Sequence, residues 1–298
     1  MKIGWLGLGA MGGPMAAAAV RAGHQVTGYD VVPEQVASLV AAGGQAADSP
    51  RAAVRGSDVT VVMVATAAQA EAALFGPQGA VTDLAEGSVV LVTATVGPAA
   101  VTDLARRLRE RNVALVDAPV SGGVTRAADG ELLMMVGGEA DAVRRVAPLL
   151  DALARNAPVI GSQPGDGQRL KLVNQLLCGV HIAAAAEALA FAEALGLDAR
   201  ACWSVIRTGA AASFMLDDRG ERMVSGAFDQ VRSALDIFVK DLGLVVDAAQ
   251  ARQFPVPLAA VAADRYRAAA AAGLGRRDDS VLIELARGRV PDAGGSAG

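Results

Sequence analysis

In the first half of the chain, short apolar runs alternate with longer segments in which apolar residues recur at helical spacing. A continuous apolar run of this length is typical of a strand buried on both faces of a parallel sheet. Strands that alternate with helices favour a doubly wound α/β sheet. The predicted strands are Lys2–Gly7, His24–Tyr29, Val59–Ala65, Ser88–Thr93, Val113–Asp117, Leu132–Val136 and, at an edge, Pro158–Ile160.

The pattern changes after Gly196, where helical spacing of apolar residues replaces the strand-like runs. We therefore predict an all-helical second domain over residues 164–289, after a first domain of residues 1–163. Its predicted helices after Gly196 are Leu197–Ile206, Phe214–Met223, Leu235–Ala251, Leu258–Ala271 and Ser280–Arg287. Small residues dominate 290–298, and we expect a disordered tail there.

One segment, residues 165–196, joins the two predicted domains. It opens with Gly165 and Gly167, and then continues without proline and with one interior glycine, Gly179. This composition predicts a single helix from about Gln168 to Gly196. About 28 helical residues span roughly 40 Å, so such a helix can leave one domain and enter another.

Three polar residues share one face of this predicted helix: Lys171, Asn174 and Gln175. Their neighbours are mostly apolar, and burial on an apolar wall lowers the pKa of a lysine. A lysine tuned in this way can act as a general base or acid near neutral pH. The alternative is that Lys171 extends to solvent from the end of the helix.

Composition narrows the class of protein. The 298 residues suffice for one large or two ordinary domains, and 53% of them are hydrophobic, which is enough for a sizeable core. With a net charge of −4 and no basic block, we expect no nucleic-acid partner. Cys178 and Cys202 lack metal-ligand spacing and fit a reduced, cytoplasmic protein without a bound metal. No signal peptide is visible, and Val180–Phe191 is too short and too interrupted to span a membrane.

A glycine-rich motif follows the first predicted strand directly. A GxGxxG turn between a strand and a helix lets a pyrophosphate approach the backbone and the N–H groups of the helix N-terminus. The residues of the motif are Gly7, Leu8, Gly9, Ala10, Met11 and Gly12. Asp30 ends the second predicted strand, where an acidic residue binds the ribose hydroxyls of NAD. Since no cation stands beside Asp30 to pair with a 2′-phosphate, the sequence favours NAD over NADP.

Further candidates follow later strands, because ligands of such sheets bind at the carboxyl ends of the strands. Val64 and Ala65 close the third predicted strand, and Thr95 follows the fourth. The loop Ser121-Gly122-Gly123 follows the fifth, and its hydroxyl and consecutive N–H groups suit an anion such as a carboxylate. The alternative for this loop is an ordinary glycine-rich turn.

The charged pair Lys240-Asp241 lies in an apolar helical context, IFVKDLGLVV. A lysine there could reach a cofactor or a bound carboxylate. The alternative is an ion pair with another helix.

Taken together, these residues resemble the β-hydroxyacid dehydrogenase family, which includes 3-hydroxyisobutyrate, tartronate semialdehyde and 6-phosphogluconate dehydrogenases. The resemblance covers residues 1 to about 288. Four motifs carry it in order: the glycine motif at 7–12, Asp117 to Gly123, Gly165-x-Gly167-x-x-x-Lys171-x-x-Asn174, and Lys240-Asp241-Leu242.

The resemblance implies a Rossmann domain, a long interdomain helix, a helical C-terminal domain and a homodimer or homotetramer. It also implies roles for individual residues. Lys171 would be the catalytic acid/base. Ser121, Gly122, Gly123 and Asn174, with Gln175 beside it, would hold the substrate. Thr95 and Lys240 would contact the cofactor.

Several segments, among them DIFVKDLGLVVDAA and Asp278-Asp279-Ser280, are similar to the members of the family that oxidise L-threonate and related four-carbon sugar acids. Two departures from the wider family fit such a substrate: Gln175 replaces a frequent second asparagine, and Ser233 replaces a frequent phenylalanine. Both make the expected pocket more polar or roomier. The alternatives are a 3-hydroxyisobutyrate or tartronate semialdehyde enzyme, an imine reductase, and a non-catalytic NAD-binding protein.

Overall fold

The computed structural model describes residues 1–289, which form two compact units. The first unit is Met1–Lys171, and the second begins at Leu172. The tail predicted for 290–298 lies outside the described residues.

The first unit contains two sheets. Its strands in chain order are β1 (Lys2–Leu6), β2 (Gln25–Tyr29), β3 (Gln45–Ala46), β4 (Val59–Val62), β5 (Val89–Val92), β6 (Ala114–Asp117), β7 (Val120–Ser121), β8 (Leu132–Met134), β9 (Val136–Gly137), β10 (Ala154–Asn156) and β11 (Val159–Gly161). The large sheet has eight strands in the order β11-β9-β6-β5-β4-β1-β2-β3, and the small sheet has the order β10-β8-β7.

Six neighbouring strands of the large sheet, in the spatial order β6-β5-β4-β1-β2-β3, run parallel to one another. Among them, β1 lies between β2 and β4. The chain therefore builds the sheet outward in both directions from β1, which confirms the predicted doubly wound class. The neighbours β1 and β4 end side by side, since Leu6 lies opposite Val62. Ligands of such sheets bind in the crevice at a switch point of this kind.

The prediction of a single strand over Leu132–Val136 was wrong. Leu132–Val136 is two strands in two different sheets: β8 pairs antiparallel with β7, and β9 pairs antiparallel with β6. Between them the N–H group of Met135 donates to the carbonyl of Pro119, which marks where the chain changes sheets. Every residue of this apolar run except Leu133 is buried, so its pattern alone gives no sign of the change. The predicted edge strand is present as β11.

Helices cover the sheets and build the second unit. In chain order they are α1 (Gly12–Arg21), α2 (Pro33–Ala41), α3 (Pro50–Val54), α4 (Ala67–Phe75), α5 (Pro98–Arg109), α6 (Gly123–Asp129), α7 (Ala140–Leu153), α8 (Asp166–Ala194), α9 (Ala199–Ile206), α10 (Phe214–Ser225), α11 (Leu235–Ala251), α12 (Pro257–Ala269) and α13 (Leu282–Ala286). Short 3-10 turns lie at Ala80–Thr82 and Asp279–Val281, and a π-turn at Ala270–Leu274 follows α12.

The long helix α8 has 29 residues and runs as one element, as predicted. It ends because Gly196 takes a left-handed conformation with φ +78°, and the N–H of Leu197 then bonds the carbonyl of Ala192. By length and composition alone this helix could cross a membrane, over a span longer than Val180–Phe191. Its residues Ile182 and Leu189 instead pack in the core of the second unit, so it serves as a core helix of the fold.

The regular elements in the described part of the second unit are all helices, apart from one isolated bridge between Ala234 and Asp278. Its core lies between α8, α11 and α12. Tyr266 on α12 stacks on Phe238 of α11, with ring centroids 5.4 Å apart. The interior glycine of α8, Gly179, allows a close approach to α11, since a Cβ atom there would lie 2.8 Å from Leu242.

Candidate active site

The glycine motif forms the turn between β1 and α1. Gly7 has φ +95°, and a Cβ atom on it would lie 2.2 Å from the carbonyl oxygen of Met63. A Cβ atom on Gly12 would lie 2.1 Å from the carbonyl oxygen of Gly7. Gly9 differs, because a Cβ atom there would meet no other atom within 4 Å. Two glycines are thus required by the packing of the turn, and the third borders open space.

Asp30 connects this turn to the end of β2. Its Oδ2 accepts a hydrogen bond of 2.6 Å from the N–H of Leu8, and its Oδ1 accepts one of 2.9 Å from Val32. The predicted ribose-binding acid therefore also fixes the glycine-rich turn. Beside it, the side chain of Val31 is 82% exposed.

These residues fit the dinucleotide that the motif predicts. The open space at Gly9, the N-terminus of α1 and the half-buried carboxylate of Asp30 provide room, N–H donors and a hydroxyl acceptor. Val64 and Ala65 follow β4 at the same switch point, and Val64 Cγ1 is 3.0 Å from the Cβ position of Gly7.

A buried side chain that the sequence did not single out supports the loop that carries Thr95. Gln168 lies in the first turn of α8 and is 1% exposed. Its Oε1 accepts hydrogen bonds from the N–H groups of Val96 and Gly97, at 3.1 and 3.0 Å. Its Nε2 donates to the carbonyl of Ala94 at 2.9 Å. One side chain thus satisfies three backbone groups of the loop after β5.

Asp117, the last residue of β6, holds the N-terminal end of α8. Its two carboxylate oxygens accept hydrogen bonds of 2.7 Å from the N–H groups of Gly165 and Gln168. Burial raises the pKa of Asp117 to about 6, even though these two N–H groups stabilise its charged form. The side chain is fully buried, so loss of hydration outweighs the two hydrogen bonds.

Lys171 comes one turn further along α8 and is 6% exposed. Its Nζ donates a hydrogen bond of 2.7 Å to the carbonyl oxygen of Val120. The alternative in which Lys171 extends to solvent is therefore wrong for this structure. Val120 directly precedes Ser121, so the lysine nitrogen is fixed next to the Ser-Gly-Gly loop.

The Ser-Gly-Gly loop leads from β7 into α6. Gly122 and Gly123 have φ values of +141° and +76°, which only glycine adopts readily. Ser121 is held in the small sheet opposite Leu133. The loop is accessible, with Ser121 and Gly122 half-buried and Gly123 exposed.

In the second unit, the predicted polar residues form one continuous chain of contacts. Asn174 Nδ2 donates to Gln175 Oε1 at 2.8 Å, and Gln175 Nε2 donates to Asp241 Oδ2. The other oxygen of Asp241 is 2.9 Å from Lys240 Nζ. Lys240 therefore forms its ion pair with its own neighbour, and Asp241 is 2% exposed.

Asp278 and Asp279 are fully buried at the start of the 3-10 turn Asp279–Val281. Arg222 Nε bonds Asp278 at 2.9 Å, and Arg219 contacts both oxygens of Asp279 at 3.1 and 3.0 Å. Their charged partners come from α10 and not from the adjacent arginines of the sequence. Within residues 1–289, no group of three or more acidic, histidine or cysteine side chains could hold a metal ion.

Comparison with known families agrees with the fold and with both halves of the sequence. Residues 2–161 match the family described as the NAD binding domain of 6-phosphogluconate dehydrogenase. Residues 165–286 match the family described as NAD-binding of NADP-dependent 3-hydroxyisobutyrate dehydrogenase.

Individual relatives cover almost the whole chain. An L-threonate dehydrogenase from Cupriavidus necator is 42% identical over 284 residues, which are 95% of each protein. A crystal structure of a 3-hydroxyisobutyrate dehydrogenase from Salmonella typhimurium is 41% identical, with a TM-score of 0.91, and the match covers 96% of this chain and 99% of that one. A 2-hydroxy-3-oxopropionate reductase from Escherichia coli is 34% identical over 286 residues, 95% of this chain and 96% of that protein.

The chain belongs to the NAD-dependent dehydrogenase family that includes the 6-phosphogluconate and 3-hydroxyisobutyrate dehydrogenases. It is an oxidoreductase of the NAD-dependent hydroxyacid dehydrogenase class. The resemblance found in the sequence is thereby confirmed at the level of family, fold, reaction class and cofactor.

Proposed function

We propose that the protein oxidises L-threonate or a closely related four-carbon sugar acid, with Lys171 as the general acid/base. The observation that carries this proposal is the buried Lys171 nitrogen, fixed 2.7 Å from the carbonyl of Val120 beside an accessible Ser-Gly-Gly loop. The 42% identity to an L-threonate dehydrogenase supports this choice of substrate.

In this proposal the substrate carboxylate binds at Ser121, Gly122 and Gly123, whose hydroxyl and N–H groups are suited to an anion. The substrate hydroxyl faces Lys171. Neutral Lys171 accepts the hydroxyl proton during oxidation, and protonated Lys171 returns a proton to the carbonyl oxygen during reduction. When bound, NAD⁺ supplies the hydride acceptor at C4 of its nicotinamide. The protein contributes mainly by holding these groups in reacting geometry.

The remaining contacts follow the same proposal. Asn174 and Gln175 contact the substrate, and Val64, Ala65, Thr95 and Lys240 contact the cofactor. The glycine-rich turn and Asp30 bind the dinucleotide, and the carboxylate of Asp30 disfavours a 2′-phosphate, so NAD⁺ is preferred over NADP⁺.

The alternatives within the family are 3-hydroxyisobutyrate and 2-hydroxy-3-oxopropionate as substrates. Two relatives that carry these names support them. Gln175 and Ser233 favour the more polar sugar acid, because both give the pocket polar character or space where the wider family often has asparagine and phenylalanine.

The test is a panel of initial rates with NAD⁺ and NADP⁺ against L-threonate, D-erythronate, D-glycerate and 3-hydroxyisobutyrate, followed as NADH or NADPH at 340 nm. The highest kcat/KM with L-threonate and NAD⁺ is expected. Activity confined to 3-hydroxyisobutyrate would keep the family and reject the sugar-acid substrate. No oxidation of any acid would reject the proposed function.

We further propose a cytoplasmic homodimer or homotetramer, with a domain boundary near residues 163 and 164. Several large apolar side chains of the described helical unit have more than half of their surface exposed. This exposure supports burial against a second copy of the chain. Examples are Phe191 (62%), Leu195 (61%), Val205 (68%), Leu258 (71%) and Val261 (63%). Light scattering on the purified protein tests this, and a monomer at micromolar concentration would contradict it.

A further inference from the structure

Four side chains of the second unit contact one another in sequence: Asn174, Gln175, Asp241 and Lys240. The carboxylate at Asp241 determines which groups donate and which accept. Asp241 is a carboxylate held by Lys240 at 2.9 Å, and a carboxylate can only accept hydrogen bonds. The group of Gln175 that faces Asp241 Oδ2 must therefore be its amide nitrogen, Nε2.

The orientation of the Gln175 amide in turn determines that of the Asn174 amide. With Nε2 of Gln175 directed at Asp241, the oxygen Oε1 of Gln175 faces Asn174. Only the Asn174 nitrogen can donate to that oxygen, and Nδ2 does so at 2.8 Å. The same nitrogen also lies 3.3 Å from Cys178 Sγ, a weak acceptor one turn further along α8. Both hydrogens of Nδ2 thus have acceptors within the protein.

Packing of the two helices holds this arrangement in place. Gly179 of α8 lies against Leu242 of α11, and a Cβ atom on Gly179 would displace the Leu242 side chain from its present position. Gln175 precedes Gly179 by one turn, and Asp241 precedes Leu242, so the close approach brings the amide and the carboxylate into contact. Gln175 is 5% exposed and Asp241 2%, so water does not compete for either group.

We propose that Asp241 orients the amides of Gln175 and Asn174, so that half-buried Asn174 presents its carbonyl oxygen Oδ1 to the ligand. An amide oxygen accepts hydrogen bonds and repels a carboxylate. This residue therefore selects a substrate that carries an additional, non-reacting hydroxyl, and it does not hold the carboxylate. The inference rests on the proposed function and specifies which chemical group of the substrate Asn174 recognises.

The consequence is a physical basis for choosing a polyhydroxylated acid. A hydroxyl donates to Asn174 Oδ1, whereas a hydrogen, methyl group or fluorine at the same position leaves that oxygen without its donor. Loss of this hydrogen bond corresponds to roughly a tenfold loss in kcat/KM. Asp241 acts here as a positioning residue, through Gln175.

The experiment compares L-threonate with its two monofluoro analogues, each lacking one non-reacting hydroxyl, as the ratio of their kcat/KM values. The kcat/KM of wild type is expected to be about tenfold lower for one analogue than for L-threonate. Asn174→Ala should be slower on L-threonate and show no additional loss on that analogue. Asp241→Asn can offer Gln175 either an oxygen or an NH₂ group. In this variant the ratio of kcat/KM for L-threonate to kcat/KM for that analogue should therefore move closer to one. Asn156→Ala, an exposed asparagine of the first unit, is the matched control and should discriminate as wild type does.

The ratio of two kcat/KM values does not depend on the folded fraction of the enzyme, so a destabilised variant still gives an answer. Retention of the full discrimination in Asn174→Ala or Asp241→Asn would overturn the inference. Equal rates of wild type on L-threonate and both analogues would also overturn it, and would leave the dehydrogenase function standing. Failure of wild type on every hydroxy acid would reject the proposed function and this inference together.

Discussion

The side-chain nitrogen of Lys171 donates a hydrogen bond of 2.7 Å to the carbonyl oxygen of Val120. These residues are 51 positions apart, on α8 and on the short strand β7. The bond fixes the reactive end of a flexible side chain beside Ser121. A general base must be held within hydrogen-bond reach of the proton that it removes, and this contact provides such a fixed position.

The open space at Gly9 predicts a substitution that affects ligand binding alone. Gly9→Ala meets no atom of the protein, so the melting temperature should stay within about 1 °C of wild type. If the pyrophosphate lies there, the added methyl group costs about 1–3 kcal/mol of binding, a roughly 5- to 150-fold rise in the Kd of NAD⁺. Calorimetric titration measures it, with Gly209→Ala at an exposed turn as the control. Unchanged NAD⁺ affinity in Gly9→Ala would place the cofactor elsewhere.

Cofactor preference should follow the charge at Asp30 and Val31. The double variant Asp30→Ser, Val31→Arg removes an acid and adds a cation at a side chain that is 82% exposed. A charge-assisted hydrogen bond contributes about 1.5–3 kcal/mol, so kcat/KM for NADP⁺ should rise roughly 10- to 100-fold relative to NAD⁺. Val40→Arg, at a 48% exposed position of α2, controls for added charge. An unchanged cofactor ratio would contradict the role of Asp30.

Gln168 should be required for both stability and cofactor binding. Gln168→Leu leaves the N–H groups of Val96 and Gly97 and the carbonyl of Ala94 without their partner. Each unsatisfied buried group costs about 1–3 kcal/mol, which denaturant unfolding measures. The KM for NAD⁺ should rise as well, because the same loop carries Thr95. Arg169→Leu, on the exposed side of the same turn, is the control, and an equal loss in both variants would contradict the specific role of Gln168.

Asp117 should give the protein an unusual dependence of stability on pH. Its pKa is raised to about 6 in the folded state by burial, from an ordinary value of 3.8. Between these values the folded state binds the proton and the unfolded state does not, so this group favours folding most at low pH. Its contribution should fall by about 2 kcal/mol as the pH rises from about 4 to about 7.

The measurement is the free energy of unfolding of wild type minus that of Asp117→Asn, from pH 4 to pH 7. We expect this difference to decrease with rising pH, and the exposed Asp151→Asn to show no such trend relative to wild type. A difference that increases with pH would mean that the N–H groups of Gly165 and Gln168 stabilise the carboxylate more than burial destabilises it.

The sequence alone predicts the elements whose signals are local. The glycine turn, Asp30 and α8 are each indicated by one continuous stretch of sequence, and the structure has the turn and the helix where they were expected. The strand break at Met135 could not be predicted, because an apolar run is the same whether it stays in one sheet or crosses to another.

The supporting contacts of the site were equally hidden. Gln168 bonds backbone groups 71 to 74 residues away, and Asp117 caps a helix 48 residues later. The contact between Gln175 and Asp241 depends on how α8 and α11 pack. Such pairings are set by tertiary packing, whereas the sequence indicates only that a polar residue lies in an apolar surrounding.

The most direct test of the central claim is the turnover of Lys171→Ala with L-threonate and NAD⁺. General acid/base catalysis is worth about 10²–10⁴-fold, so kcat should fall by that factor while the Kd of NAD⁺ stays within about threefold of wild type. The exposed Lys2→Ala is the matched control and should keep full activity. A kcat for Lys171→Ala within a few-fold of wild type would contradict the assignment of Lys171 as the acid/base.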